Sequence, residues 1–281
     1  MFKTLWVVCA MLLAVGAQAQ DTGTLKKIRD AKSITLGYRA DSPPFSFTGP
    51  DGQPAGYSLV LCKRVSESLE PSLGGSLAIK WVAVTSANRF DQVTGGAIDL
   101  ECGNTTVTLS RQERVDFSNL TFVDGGGVLV LAESNLNRLA DLAGKTIAVK
   151  PGTTTETSLK AALKDKLIDA KVVTVKDEAE ALGALNEKRI DGYAADRIVL
   201  VGNVIRARAD IKYTLIQDDF SFEPYALMMR RDPAFRLAVN RALSQVYRSG
   251  AIKEIFDRWL APLGKPGPLL AAMYYLNTTP E

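Results

Sequence analysis

Strand-like and helix-like segments alternate along almost the whole chain, and that order restricts the fold more than any other feature. Residues 34–38 read as a short strand, and Ser42-Pro43-Pro44 behind it forces an extended turn. Residues 57–69 carry Leu61, Val65 and Leu69 at helical spacing and stop before Pro71 and a Gly-Gly pair. A strand is expected over 78–84, a helix over 88–93 ended by Gly95-Gly96, and a strand over 97–102. This β-α-β-α-β order belongs to a sheet covered by helices on both faces. Strand segments at 117–122 and 128–132 then flank a Gly125-Gly126-Gly127 run, and a second α/β series begins. It holds strands at 146–150, 172–176 and 190–194 and a helix at 155–167. A second helix ends near Lys188 and opens with Asp177 and Glu180 at capping-box spacing; Asp196 opens another. After a strand at 225–229, Asp232-Pro233 is an N-cap with proline at the first helical position. Helices continue to about residue 260, where Pro262, Pro266 and Pro268 make the tail irregular. Ala97-Ile98-Asp99-Leu100 in the first series is echoed by Arg189-Ile190-Asp191-Gly192 in the second, which alone is weak evidence of repeated lobes.

Residues 1–19 stand apart. Lys3 precedes an apolar run from Leu5 to Val15, and Ala17-Gln18-Ala19 offers small residues for cleavage after Ala19: the three parts of a secretory signal peptide. The run is too short to span a bilayer. Cys9 lies inside it and cannot be a lipid-attachment cysteine at the mature N-terminus. The expected product is a soluble exported protein of roughly 260 residues, enough for one large α/β unit or two lobes. The whole chain carries a net charge of +3, which becomes +2 without Lys3, and Lys and Arg alternate with Asp and Glu. That is no nucleic-acid footprint. The absence of histidine excludes histidine metal sites and Ser-His-Asp triads. Cys62 and Cys102 remain after processing, and an oxidising compartment permits a bridge that nothing in their spacing requires. No cofactor is expected.

Ligands of open α/β sheets bind beyond the carboxyl ends of the strands, often between domains. Arg39 follows the first strand, Ser86 and Arg89 the second, and Asn104-Thr105-Thr106 the third, with Arg111 shortly beyond. In the second series Gly152-Thr153-Thr154 precedes a helix, where free N–H groups suit a carboxylate, and Asp196 ends another strand. Three guanidinium forks beside one isolated carboxylate suit a small zwitterion carrying an extra acid. Each residue also has a plainer reading. A lone surface arginine is commonly a solvated charge, Asp196 is equally a helix cap, and Thr153-Thr154 equally a helix start.

These residues carry a family resemblance. The chain resembles the periplasmic solute-binding proteins of polar amino acid ABC transporters, family 3, and most of all the glutamate/aspartate-binding branch. The matching stretches include Arg39 with Pro44-Phe45-Ser46, Gly56-Tyr57-Ser58, Thr85-Ser86 with Asn88-Arg89, and Glu101-Cys102-Gly103 with Thr105-Thr106. Glu113-Arg114 with Phe117-Ser118, Gly152-Thr153-Thr154 with Glu156, and Asp196 continue the match. The resemblance implies an α/β, two-lobe periplasmic-binding-protein fold with two hinge strands (type II). Lobe 1 would comprise residues 20–123 and 226–281 and lobe 2 residues 129–220, with hinges near 124–128 and 221–225. It further implies that Arg111 and Thr106 hold a ligand α-carboxylate with help from Thr154, and that Asp196 receives the α-ammonium. Arg39, Ser86 and Arg89 would hold the side-chain carboxylate of L-glutamate or L-aspartate. Asn104 stands where the branch has serine, and its amide still offers hydrogen bonds. Glu178 stands where the branch has histidine. It either points into the cleft, which favours glutamine or asparagine, or sits behind Arg39 and orients it. Phe45 and Phe47 would form an aromatic wall against the ligand stem. The implied partner is an inner-membrane ABC permease, served by a monomer.

Binding needs complementarity to the ground state, whereas catalysis needs groups that favour the transition state. Only Glu178 and Asp196 could move a proton at this site, so a binding protein is expected rather than an enzyme. The alternative is a periplasmic dehydratase of cyclic acids on the same fold, with Glu178 as general acid.

Overall fold

The computed structural model describes residues 23–207 and 211–280. The leader expected at 1–19 lies outside them. Among the described residues no helix is long and apolar enough to cross a membrane.

Ser33–Arg39 runs parallel to Ala78–Val84 on one side and to Leu100–Glu101 on the other. Such neighbours need crossovers, and the helices Tyr57–Leu69 and Arg89–Thr94 supply them. Beyond Leu100–Glu101 the sheet continues through Phe222–Met229 to Asp116–Leu131, and from there into Gly192–Asp196, Thr146–Val149 and Lys171–Thr174. The last three are parallel to one another. Asp116–Leu131 therefore belongs to both halves, and Phe222–Met229 pairs antiparallel with it, Phe222 opposite Gly125 and Tyr225 opposite Phe122.

Two strand segments interrupted by glycines were expected here; instead one strand of 16 residues runs through the run. The glycines serve close approach. A Cβ on Gly126 would lie 2.5 Å from Ser221 Oγ and 2.7 Å from the Phe220 ring, and one on Gly127 would lie 2.8 Å from Arg197 Cγ. Small residues let the second crossing strand press against the first.

Strand alternation sorts the apolar side chains of the second lobe onto two faces. Val128, Val130, Ile147 and Val149 pack with Leu159 on one, and Leu129, Leu131, Ala148 and Tyr193 pack with Leu185 on the other. The first lobe's main core joins distant parts of the chain: Ile28, Leu36, Tyr57 and Val65 pack with Phe235, Leu243 and Tyr274. The tail is more ordered than its prolines suggest, because Pro268 opens the helix Pro268–Leu276, where its missing N–H costs nothing. The hydroxyls of Tyr274 and Tyr57 meet at 2.9 Å.

Asp232 caps its helix by accepting the Phe235 N–H at 3.1 Å. Asp177 likewise accepts the Glu180 N–H at 2.9 Å, but the Glu180 carboxylate takes the Lys176 N–H, so the expected capping box is displaced by one residue. The echoed turns do matching work in the two lobes. Asp99 accepts the Thr35 N–H and Asp191 the Thr146 N–H, each fastening the start of its lobe's first strand. Cys62 and Cys102 are joined in a disulfide that spans 40 positions of sequence, with Cα atoms 6.1 Å apart. Closing a loop of that length contributes ~4 kcal/mol in the chain-entropy model.

Candidate functional site

The strand ends of both lobes meet around a polar cavity of about 30 Å³. Of the residues singled out in the sequence, Arg39, Arg89, Asn104, Thr106, Arg111, Thr154, Glu178 and Asp196 line it.

Arg39 ends its strand, with its backbone N–H held by Ser46 Oγ at 2.9 Å and its Nη2 donating to Asp41 at 3.1 Å. The other oxygen of Asp41 accepts from Lys150 Nζ at 3.0 Å, and Lys150 lies 2.6 Å from Glu178. Burial alone would raise the Asp41 carboxyl, but Arg39 and Lys150 outweigh it and hold the group at about 2. Arg89 is 3% exposed, and its Nε has no hydrogen-bond partner in the protein. Burial, reinforced by Arg39, lowers its guanidinium to about 9. The guanidinium carbons of Arg89 and Arg111 both lie 5.3 Å from the Phe90 ring centre, a placement in which the ring face attracts cations. Glu101 is fully buried nearby and accepts the Thr105 hydroxyl at 2.8 Å; burial raises its carboxyl against the pull of Arg89.

Thr108 caps the short helix Leu109–Gln112 by accepting the Arg111 N–H. Arg111 then folds back, donating to the Thr106 carbonyl at 2.7 Å and, across the cleft, to the Gly152 carbonyl at 3.4 Å. Thr153 caps the facing helix Thr154–Asp165, whose first turn presents Thr154 and Thr155. The Thr106 and Thr154 hydroxyls both donate to one oxygen of Glu223, at 2.5 and 2.6 Å, and Ser221 donates to the other at 2.6 Å. Asp196 accepts from Thr155 at 2.7 Å, from Tyr225 at 2.5 Å and from the Asn104 amide at 3.4 Å. Burial, with Glu223 adding, raises its carboxyl to about 6. The helix after Asp196 takes its cap elsewhere: Asp124 accepts the Ile198 N–H at 3.1 Å.

Two expected residues do not line the cavity. Ser86 is buried beside it, its carbonyl 3.3 Å from where a Cβ on Gly152 would stand. Phe47 is the clearer correction. Side chains alternate along Ser46–Thr48, and with Ser46 turned inward to Arg39 the neighbouring Phe47 points away, against Trp259 at 5.9 Å and under Arg206 at 5.2 Å. Phe45 is core, packed on Phe122, Tyr225 and Tyr57. The apolar part of the cavity wall comes instead from Tyr193 and Val199. Sequence reasoning also missed Asp41, Lys150 and Glu223. Lys150 follows directly on a parallel strand, Thr146–Val149, so the strand-end rule could have found it. Glu223 sits within a crossing strand that shows no clean alternation, and no local pattern marks it.

Residues 34–262 match the family model of bacterial extracellular solute-binding proteins, family 3. This chain belongs to that family. The fold is accordingly the two-lobe, type II periplasmic-binding-protein fold. An L-glutamate/L-aspartate-binding protein of Pseudomonas aeruginosa is 36% identical over 256 residues, covering 90% of this chain and 85% of that protein. A glutamate/aspartate import solute-binding protein of Escherichia coli is 29% identical, covering 92% and 88%. Among solved structures, an ancestral amino acid-binding protein described as a precursor of cyclohexadienyl dehydratase superposes with a TM-score of 0.73 at 27% identity, over 84% of this chain and 99% of that one.

Proposed function

We propose that this family 3 protein binds an acidic L-amino acid, L-glutamate or L-aspartate, in the periplasm and delivers it as a monomer to an inner-membrane ABC permease. One observation carries the choice of ligand. Arg89 is a buried guanidinium with an unpartnered Nε, beside Arg39, on the wall of a small polar cavity. Buried cations call for an anion, and a second carboxylate on the ligand supplies it. The names of the Pseudomonas and Escherichia relatives point the same way.

In this reading Arg39 and Arg89 hold the side-chain carboxylate and Asp196 receives the α-ammonium. Arg111 holds the α-carboxylate. Because Glu223 already takes the hydroxyl protons of Thr106 and Thr154, help for that carboxylate comes mainly from the backbone N–H groups at the start of Thr154–Asp165. The described parts of residues 20–123 and 226–281 form one moving body and those of 129–220 the other, turning about 124–128 and 221–225 and closing when the ligand touches both. A second reading, glutamine or asparagine, draws on the Glu178 carboxylate in the cavity wall.

A thermal-shift screen of refolded, ligand-stripped protein against all the amino acids tests the assignment, since a ligand at a hundred times its Kd adds ~2.7 kcal/mol of apparent stability. L-Glutamate or L-aspartate should give the largest shift. A larger shift with an amide would move the protein to the second reading. Turnover of cyclic acids, followed by product absorbance, would replace both readings with the dehydratase.

A further inference from the structure

Lys150 is a third buried cation in the cavity wall, beside Arg39 and Arg89, that the arginine pattern did not reveal. Its side chain is 7% exposed and touches carboxylates from both lobes, Glu178 at 2.6 Å on its own side and Asp41 at 3.0 Å on the other. Asp41 passes the chain on to Arg39 at 3.1 Å. Glu178, Lys150, Asp41 and Arg39 thus form a row of alternating charges that crosses the cleft. Glu178 therefore does not sit directly behind Arg39; it is separated from it by two charged groups.

The pairing of Glu178 depends on one member of the row. Lys150 meets its carboxylate at 2.6 Å, which leaves Arg39 and Arg89, with Asp41 and the buried Glu101 beside them, to face a ligand carboxylate. Without Lys150, Glu178 faces the cavity as a carboxylate that has lost its cation. It would then repel a ligand carboxylate and accept a hydrogen bond from a ligand amide. The loss of an arm to Asp41 would also remove a charged contact between the lobes.

We propose that Lys150 is a specificity-determining residue: by pairing Glu178 and reaching Asp41 across the cleft it keeps the side-chain end of the site selective for a carboxylate over an amide. This rests on the acidic-ligand reading. It also accounts for how a carboxylate can stand at position 178 in a site for acids, because the opposing charge is built in beside it.

Calorimetric titration of Lys150→Met, Glu178→Gln and the double variant with L-glutamate and L-glutamine tests it, with Lys150→Arg as the charge-conserving control. Lys150→Met should lower the glutamate-to-glutamine affinity ratio by roughly thirtyfold or more, the lower range for unpairing a buried charge. Glu178→Gln should keep or raise the ratio. The double variant should recover it to within about fivefold of the parent, because the unpaired carboxylate has gone; such a cycle isolates the pair from general damage. Lys150→Arg should keep the ratio. An unchanged ratio in Lys150→Met, or a double variant no better than Lys150→Met, overturns the role of Lys150. A parent protein that binds no acidic amino acid withdraws the acidic-ligand reading and the proposal with it, an outcome visible before any variant is made.

Discussion

Replacing Arg89 by methionine should stabilise the ligand-free protein while removing its preference for acids. Burial and the neighbouring Arg39 bring this guanidinium down to about 9. That is roughly three powers of ten below its ordinary value, and at ~1.4 kcal/mol each the folded state gives up ~4 kcal/mol to keep Arg89 charged. The cost applies at every pH below about 9, where the group is charged. Methionine forfeits the contact with the Phe90 ring at 5.3 Å, worth ~1–2 kcal/mol when desolvated. The attraction of Glu101 is already contained in the value of about 9, where it offsets part of the burial cost. The balance is a gain of ~2 kcal/mol, within the range seen when buried charges are replaced by apolar groups of similar volume. Urea unfolding of stripped protein at neutral pH would show it as a higher midpoint at unchanged slope. Titration of the same variant should show glutamate weakened by ~2–5 kcal/mol and glutamine spared. A variant less stable than the parent without ligand, or one that loses both ligands equally, would refute the claim that Arg89 is a stored charge waiting for a carboxylate.

Three further outcomes are expected. Asp196, raised to about 6, must ionise to receive an ammonium, so affinity should be flat above neutral pH and fall by up to tenfold for each unit below that value. Titrations at acid pH in buffers of different ionisation heat should show proton release on binding, and Asp196→Asn should abolish it. The same raised carboxyl favours the folded state fully below its unfolded value near ~4, an advantage lost as pH rises through the folded value. Gly202→Ala should hinder closure, because a Cβ there would lie 2.5 Å from the Pro43 carbonyl on the facing lobe; solution scattering at saturating glutamate should give a larger radius of gyration than the parent, and an equal one would contradict this. Replacing Cys62 and Cys102 together by alanine should cost ~2–4 kcal/mol in urea unfolding; a loss below ~1 kcal/mol would mean the bridge adds little to the packing around it.

The alternation of elements was legible because apolar periodicity survives wherever a face is buried: Tyr57–Leu69 and Ala78–Val84 begin and end where their patterns do. The Gly125-Gly126-Gly127 run misled, since glycine marks both a break and a close approach, and only the position of Ser221 and Phe220 tells which. The tail misled for a related reason: Pro266 and Pro268 read as irregular, yet a proline at a helix start is compatible with the helix that follows. The place of Arg39, Arg89 and Arg111 on the cavity wall was legible because strand ends are few and guanidinium chemistry is distinctive. Phe47 was misplaced because Phe45 and Phe47 share one strand parity around Ser46, and the local pattern does not reveal that Phe45 turns into the core while Phe47 meets Trp259. Lys150 and Asp41 meet across 109 positions of sequence and Glu223 and Thr106 across 117, so these pairings do not show in any short window.

The path of the chain through the first lobe also governs when that lobe can exist. Its core needs Phe235, Leu243 and Tyr274 beside Ile28 and Leu36, and its sheet needs Phe222–Met229 to fill the gap between Leu100–Glu101 and Asp116–Leu131. Contacts of such long range form late, since the loops between them must close first. A ribosome that still grips the last sixty or so residues therefore withholds the pieces that complete the earliest-made half. The first lobe stays incomplete until the chain is nearly all free, whereas the cores of the second lobe use no residue beyond Phe220.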